Sequence, residues 1–317
     1  MREQAPEHAR TERSNYPETF GIEPHTYERD VPSVIRALAS ALHRFEDEAG
    51  SDEEIRQVFG GVYDAEKIEE DLAEVHRLRH VYETEDSLEE RKHHLYSLVL
   101  ELIICDLSNE WFPGCTVWRA YSFDDYKRQT DLFMDIPGPE GQLLTLAVDV
   151  TSSREAASHK LDDSLEEFRS GWFHDVDYFA SDTDPDRPRG RQFFPRVVAG
   201  ASYRNIASLA RLYGAWLKAG ERSKNEAMEQ LRHHELARQM YQELLRQLDL
   251  AHTYLRRNLK DQPTFKQTLR ESLKSHAQYV DAARRALRER YEKIKGSSGG
   301  ETEPPLNGVL DAILEYA

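Results

Sequence analysis

Apolar positions along this chain recur with two periods, and the change of period divides it. Val34, Ile35, Leu38, Leu42 and Phe45 are spaced three or four apart. That predicts an amphipathic helix starting near Val31-Pro32 and ending at Gly50. Ser51-Asp-Glu-Glu54 is a capping-box pattern for a short helix. Ile68, Leu72, Val75 and Leu78 place another helix over residues 65 to 80. A second capping box, Ser87-Leu-Glu-Glu90, opens an apolar helix through Leu95, Leu98, Val99, Leu102, Ile103 and Leu107, closed by Pro113-Gly114.

Beyond Gly114 the pattern turns to strands. Residues 116 to 122 read as a strand, then a polar turn, then a second strand over 130 to 136. Pro137-Gly-Pro-Glu-Gly141 is a tight connection to a third strand, 143 to 151, apolar on both faces as a central strand requires. A helix over 155 to 170, a strand over 176 to 180, a polar loop, a strand over 196 to 201 and a helix over 205 to 217 follow. The predicted order is α-β-β-β-α-β-β-α, a small mixed sheet flanked by helices in an α+β or α/β domain.

Residues 222 to 260 return to helical spacing through Met240, Leu244, Leu248, Ala251 and Leu255. Asp261-Gln-Pro-Thr264 breaks the pattern, and a second long helix carries Phe265, Leu269, Leu273, Val280, Ala283, Leu287 and Ile294. Two long helices joined this tightly form an antiparallel hairpin. The expected organisation is a flexible tail (1–29), a helical region (30–83), the α/β core (84–217), a helical hairpin arm (218–296), and a linker with a short docking helix (297–317).

Hydrophobic residues make up 39% of the 317 positions and charged ones 32%, and no apolar run approaches the ~20 residues a spanning helix needs. The first twenty residues lack the apolar centre of a secretory signal. Two cysteines, Cys105 and Cys115, suit a reducing compartment, so the expectation is a cytoplasmic protein with no membrane partner. The net charge of −16 argues against broad, non-specific nucleic-acid binding. The charge is uneven. Residues 222 to 296 hold 17 Lys and Arg against 10 Asp and Glu, a surplus of +7, which leaves −23 on the rest. A basic hairpin on an acidic body is compatible with a local phosphate-binding surface, with a homodimer contact, or with a contact to a partner protein.

The chemistry is concentrated in Asp131-Leu-Phe-Met-Asp-Ile136 and Leu143-Leu-Thr-Leu-Ala-Val-Asp-Val-Thr151. Paired as a hairpin, the start of the first strand meets the end of the second, which brings Asp131 to Asp149. Two such carboxylates stay ionised together only with a cation between them. Mg²⁺ or Mn²⁺, held by one or two carboxylates plus water and phosphate oxygens, fits that need. Asp135 shares a strand face with Asp131 and is the alternative partner. Thr151 and Ser152 are read as caps of the following helix.

This arrangement resembles the PD-(D/E)xK nuclease superfamily, whose restriction-endonuclease-like core has an acid at the start of strand two, then an acid, one residue and a lysine on strand three. The resemblance covers about 130 residues. It implies Asp131 and Asp149 as metal-binding and catalytic acids. The family's lysine falls on Thr151, a departure. Some members take that lysine from a neighbouring helix, which implies Lys160. The family often adds a glutamate on its first core helix, which implies Glu101 as a further catalytic and metal residue. Helical spacing sets Glu101 on a polar stripe with His94, Ser97 and Ser108.

Arg187, Arg189 and Arg191 form a basic loop suited to phosphate. His93-His94 and His233-His234 point apart on their helices, so neither pair makes a metal site. There is no P-loop, GxGxxG, GxSxG or HExxH motif. Three expectations follow. The first is a divergent metal-dependent endonuclease, a hydrolase of nucleic-acid phosphodiester bonds. The second is a catalytically inactive nuclease-like fold that binds protein or nucleic acid through its hairpin. The third is a helical interaction protein whose sheet is only structural.

Overall fold

The computed structural model describes residues 38 to 297 except 39, 46–49, 86, 139, 140, 182 and 262–266. The expected tail, the start of the first helix, most of the break near Pro263, and the linker and docking helix lie outside the described residues.

The helical stretches begin where the caps put them. After helical residues 40–45, Ser51 accepts from the Glu54 N–H (3.2 Å) and opens α1 (Asp52–Phe59). α2 spans Ala65–Glu85, one turn longer than its apolar spacing predicted. At α3 (Leu88–Asp106) both halves of the capping box form. The Ser87 N–H donates to Glu90 (2.7 Å), and the Glu90 N–H donates to Ser87 Oγ (3.2 Å). A short α4 (Ser108–Trp111) leads into β1 (Thr116–Arg119).

β2 (Leu132–Pro137) pairs antiparallel with β1 and with β3 (Leu143–Thr151). α5 (Arg154–Ser170) then crosses to β4 (His174–Phe179), β5 (Gly190–Phe194) and β6 (Arg196–Gly200). β6 returns parallel to β3, so the main sheet runs β1-β2-β3-β6. β4 and β5 form a separate two-stranded ribbon. Two expectations are corrected here. Residues 190–194, read as polar loop, are a strand, so the order gains one strand. The ribbon does not join the main sheet. β5 escaped detection because only its alternate positions, Gly190 and Phe194, face inward, while Arg191 and Phe193 are exposed.

The strand expected over 116 to 122 stops at Arg119, and Asp124–Arg128 makes a π-helical turn ending at Gln129 with φ 61°. The buried Asp124 carboxylate holds that turn against the ribbon, accepting from the N–H groups of Asp177 and Tyr178, both at 2.8 Å. The core divides accordingly. Leu132, Met134, Leu146 and Val148 face the main core with α3 and α5. Phe133 and Ala147, on the other face, meet Phe179 and Phe194 of the ribbon. A third cluster joins Ile55, Phe59, Ile68 and Leu72 to Phe123 and Tyr178.

α6 (Tyr203–Lys218), α7 (Glu221–Arg232), α8 (Glu235–Asp261) and α9 (Gln267–Ser297) complete the chain, with the 222–260 helix broken at His233-His234. The α8–α9 hairpin lies against the sheet. Its stripe of Met240, Leu244, Leu248, Leu255, Leu273, Val280 and Leu287 is buried in the main core. The contact is polar as well. The Gln247 side chain accepts from the Val198 N–H (2.8 Å) and donates to the Val198 carbonyl (2.8 Å), which caps the open edge of β6. The Tyr279 hydroxyl does the same for Thr145 of β3, accepting from its N–H (2.5 Å) and donating to its carbonyl (3.1 Å). No helix among the described residues is long and apolar enough to cross a membrane.

Gln247→Ala strips two buried backbone groups of their partners, so we expect a loss of about 1–3 kcal/mol in urea unfolding, with the m-value unchanged.

Candidate active site

The β2–β3 register brings the two predicted aspartates together. Leu132 faces Val148 and Phe133 faces Ala147, so Asp131, one residue before β2, stands opposite Asp149 on the same side of the sheet. The Asp131 N–H donates to the Val148 carbonyl (3.0 Å), which continues the ladder one step past the strand. The Asp131 carboxylate then accepts from the Val150 N–H (2.5 Å), taking the place of the next rung. Asp149 is completely buried, at 0% exposure, between Val148 and Val150 of a strand with neighbours on both sides.

α5 supplies the counter-charge. Its N-cap is Ser153, which accepts from the Ala156 N–H (3.2 Å). Thr151 and Ser152, expected as caps, do other things. Thr151 Oγ1 accepts from the Ser153 N–H (3.2 Å). Ser152 ties the strand end to α3, donating its N–H to Ser97 Oγ (3.0 Å) and its hydroxyl to the His93 carbonyl (2.7 Å). Seven residues past the cap, Lys160 turns back to the sheet. Its ammonium donates to Asp149 Oδ1 and reaches the Val150 carbonyl at 3.4 Å. At the far end of α5, Gly171 has φ 80°, and a Cβ there would lie 2.3 Å from Leu273. Only glycine satisfies both that conformation and that contact.

On the other side of Asp149 stands Arg196, the first residue of β6, which sequence reading overlooked. Its guanidinium is 4.0 Å from Asp149 Oδ2, 3.2 Å from Glu167 and 3.4 Å from Gln129 Oε1. Glu167 also meets His174 Nδ1 at 2.9 Å. Asp149 Oδ2 itself makes no hydrogen bond. An arginine opening the otherwise apolar run Arg196-Val-Val-Ala was the available signal.

Glu101 of α3 is buried beside the same cluster, near enough to feel Asp131, Arg119 and Lys160. Burial pushes its carboxyl well above the usual range and Asp131 pushes it further, while Arg119 opposes. Arg119 and Asp125 were also overlooked. They pair at 3.3 Å, and Asp125 lies against Asp131 because the π-helical turn swings it inward, which alternation along the strand does not reveal. Burial raises Asp149 to about 6 against the pull of Lys160. Burial likewise raises Asp131 to about 6, with Lys160 pulling down and Asp125 pushing up. For Lys160, burial acts downward, but Asp149 and Asp131 outweigh it and the ammonium is held above its ordinary value.

The cluster therefore joins Asp131, Asp149, Glu101 and Lys160, and excludes the other candidates. Asp135, on the same face four residues along, is occupied by the hydroxyls of Thr145, Thr183 and Ser181 and by Arg187 at 3.7 Å. Arg187 donates to Thr145 Oγ1 (2.5 Å) and stacks on Phe179 and Phe194, so it serves this internal network and not a surface. Arg191 is exposed but pairs with Asp175 through two bonds of 2.8 and 2.5 Å, and Arg189 is exposed.

Two neighbouring carboxylates are hard oxygen ligands of the kind Mg²⁺ and Mn²⁺ take, and the unbonded Asp149 Oδ2 is a free lone-pair site. Those are donor types a divalent ion takes, and Lys160 and Arg196 already stand against Asp149. No group of three or more His, Cys, Asp or Glu side chains among the described residues is arranged to hold a metal ion, so Glu101 stands near the pair without completing a cage. The chain matches no family model, no curated protein and no solved structure.

Because Asp131 and Asp149 titrate near 6 instead of near 4, folding takes up protons there, and stability falls as pH rises from about 4 through about 6. Lys160 limits that fall. Lys160→Met is expected to cost little at pH 4 and about 3–5 kcal/mol at pH 8 in urea unfolding, the usual cost of breaking a buried ion pair.

Proposed function

We propose that this chain is a divergent metal-dependent nuclease of the PD-(D/E)xK kind, hydrolysing nucleic-acid phosphodiester bonds in a reducing, cytoplasmic setting. The observation that carries the reading is the hydrogen bond from Lys160 to Asp149, with Asp131 across the strand pair. The lysine missing from position 151 has a substitute whose ammonium reaches the second acid. The helix–three strands–helix order, with Asp131 at the head of β2 and Asp149 near the end of β3, supports the same assignment.

Asp131 and Asp149 would hold Mg²⁺ or Mn²⁺, which supplies charge neutralisation at the scissile phosphate and acidifies water. The remaining work falls to the chain. Lys160, whose ammonium lies on Asp149, supplies a positive charge next to the pair, where it stabilises the negative phosphorane-like transition state. Arg196, locked by Glu167 and Gln129, keeps a positive charge beside Asp149 from within. Glu101 and Asp125 stand beside the pair, with burial favouring the uncharged form of each.

A second reading is favoured by Thr151 in the family's lysine position. On it the chain is a nuclease-like fold without activity, and Lys160–Asp149 is a structural ion pair. The buried apolar stripe of α8–α9 leaves that reading only the charged outer face of the hairpin as a partner surface.

Nicking of supercoiled plasmid and of labelled DNA and RNA oligonucleotides with Mg²⁺ or Mn²⁺ separates the two. The expected result is cutting by the native chain that drops at least ~10²-fold in Asp149→Ala, Asp131→Ala and Lys160→Met. Equal cutting by native and Asp149→Ala proteins, or none by either, removes the catalytic reading.

A further inference from the structure

The carboxylate pair already has a cation. Lys160 Nζ is bonded to Asp149 Oδ1 and to the Val150 carbonyl, beside the Asp131 carboxylate that accepts from the Val150 N–H. Asp149 has no exposed surface, whereas the Lys160 side chain keeps 26% of its own, so of the two partners the lysine is the one in contact with solvent. The other neighbouring cation differs in kind. Arg196 is 4% exposed, held by Glu167 and Gln129, and 4.0 Å from the acid without bonding to it. One positive charge is therefore fixed and one is on a flexible four-carbon stem. The second oxygen of Asp149 is buried and makes no hydrogen bond, which leaves this carboxylate with unused capacity for a cation.

We infer that Lys160 is the resident counter-ion of the metal-free site, and that a divalent cation and this ammonium occupy the Asp131–Asp149 pair in exchange, the lysine swinging outward as the metal enters. The inference rests on the proposed metal site and concerns its regulation. Its physical basis is charge. The metal's two charges, added to the ammonium and the fixed Arg196 guanidinium beside two carboxylates, repel the ammonium, so it opposes metal entry at every concentration, and metal entry releases it outward, where it can meet a phosphate. Binding of the hard cation thereby places the lysine for the substrate. Until the metal arrives, the buried acids remain compensated.

The test uses the full chain and Mn²⁺ or Mg²⁺ alone, with no nucleic acid. By calorimetry, Lys160→Met is expected to bind Mn²⁺ roughly ten- to a hundredfold more tightly than the native chain, and Asp149→Asn to lose binding. Equal or weaker binding by Lys160→Met, with Asp149→Asn still deficient, overturns the exchange and leaves the metal site standing. No Mn²⁺ binding by native and Lys160→Met proteins alike, or unchanged binding by Asp149→Asn, overturns the metal site itself and the exchange with it. Should Lys160→Met not fold, the native protein gives the answer. Acetylation of Lys160 by an amine-reactive ester, read by peptide mass spectrometry, is expected to speed up several-fold at saturating Mg²⁺ relative to the other lysines. An unchanged rate overturns the exchange.

Discussion

A carboxylate with no exposed surface must find its counter-charge inside the protein, and Asp149 finds it in Lys160. Left alone at that depth the ion would cost several kcal/mol, comparable to the whole stability of many domains. The surrounding architecture is arranged around this requirement. Asp149 sits in β3, which is paired on both sides, so the side chain cannot move to an edge. α5 is fixed at its start by Ser153, in its middle by the Ser164 hydroxyl on the Arg196 carbonyl (2.6 Å), and at its end by Gly171 against Leu273. Those three constraints set the height and rotation at which the Lys160 stem leaves the helix.

The same economy governs backbone groups. The main sheet has an open edge at β6 and an unpaired stretch of β3 at Thr145, and both face the C-terminal hairpin. An amide and a phenol, Gln247 and Tyr279, meet these edges with paired donor and acceptor bonds. Apolar packing alone would have left those N–H and carbonyl groups unsatisfied. The hairpin is thereby part of the core that the catalytic candidates depend on.

Charge on the surface points the same way as charge in the site. Many of the exposed cations of the described residues are matched to acids, as with Arg56 and Glu69, Arg77 and Glu74, Arg232 and Glu110, and Arg288 and Asp249. Such pairs contribute little to stability, but they cancel the positive field that a broad phosphate-tracking groove requires. On the proposed reading, recognition concentrates at the single phosphate beside Lys160.

The sequence by itself determined the helices with capping boxes, the full length of β3 and the convergence of Asp131 on Asp149, because these follow from local hydrogen bonds and from the period-two geometry of a hairpin. Lys160 and Glu101 were legible only through a resemblance, since a helix residue's reach depends on how the helix is docked. Tertiary structure alone decided the rest. Asp125 enters the site through a π-helical turn that no periodicity announces. Arg196 enters through a parallel pairing across more than forty residues. The Arg187 loop, polar in sequence, closes on Asp135 and the ribbon aromatics. Local pattern fixes which face a residue takes. It does not fix which distant element that face will meet, and the counter-charges of this site come from distant elements.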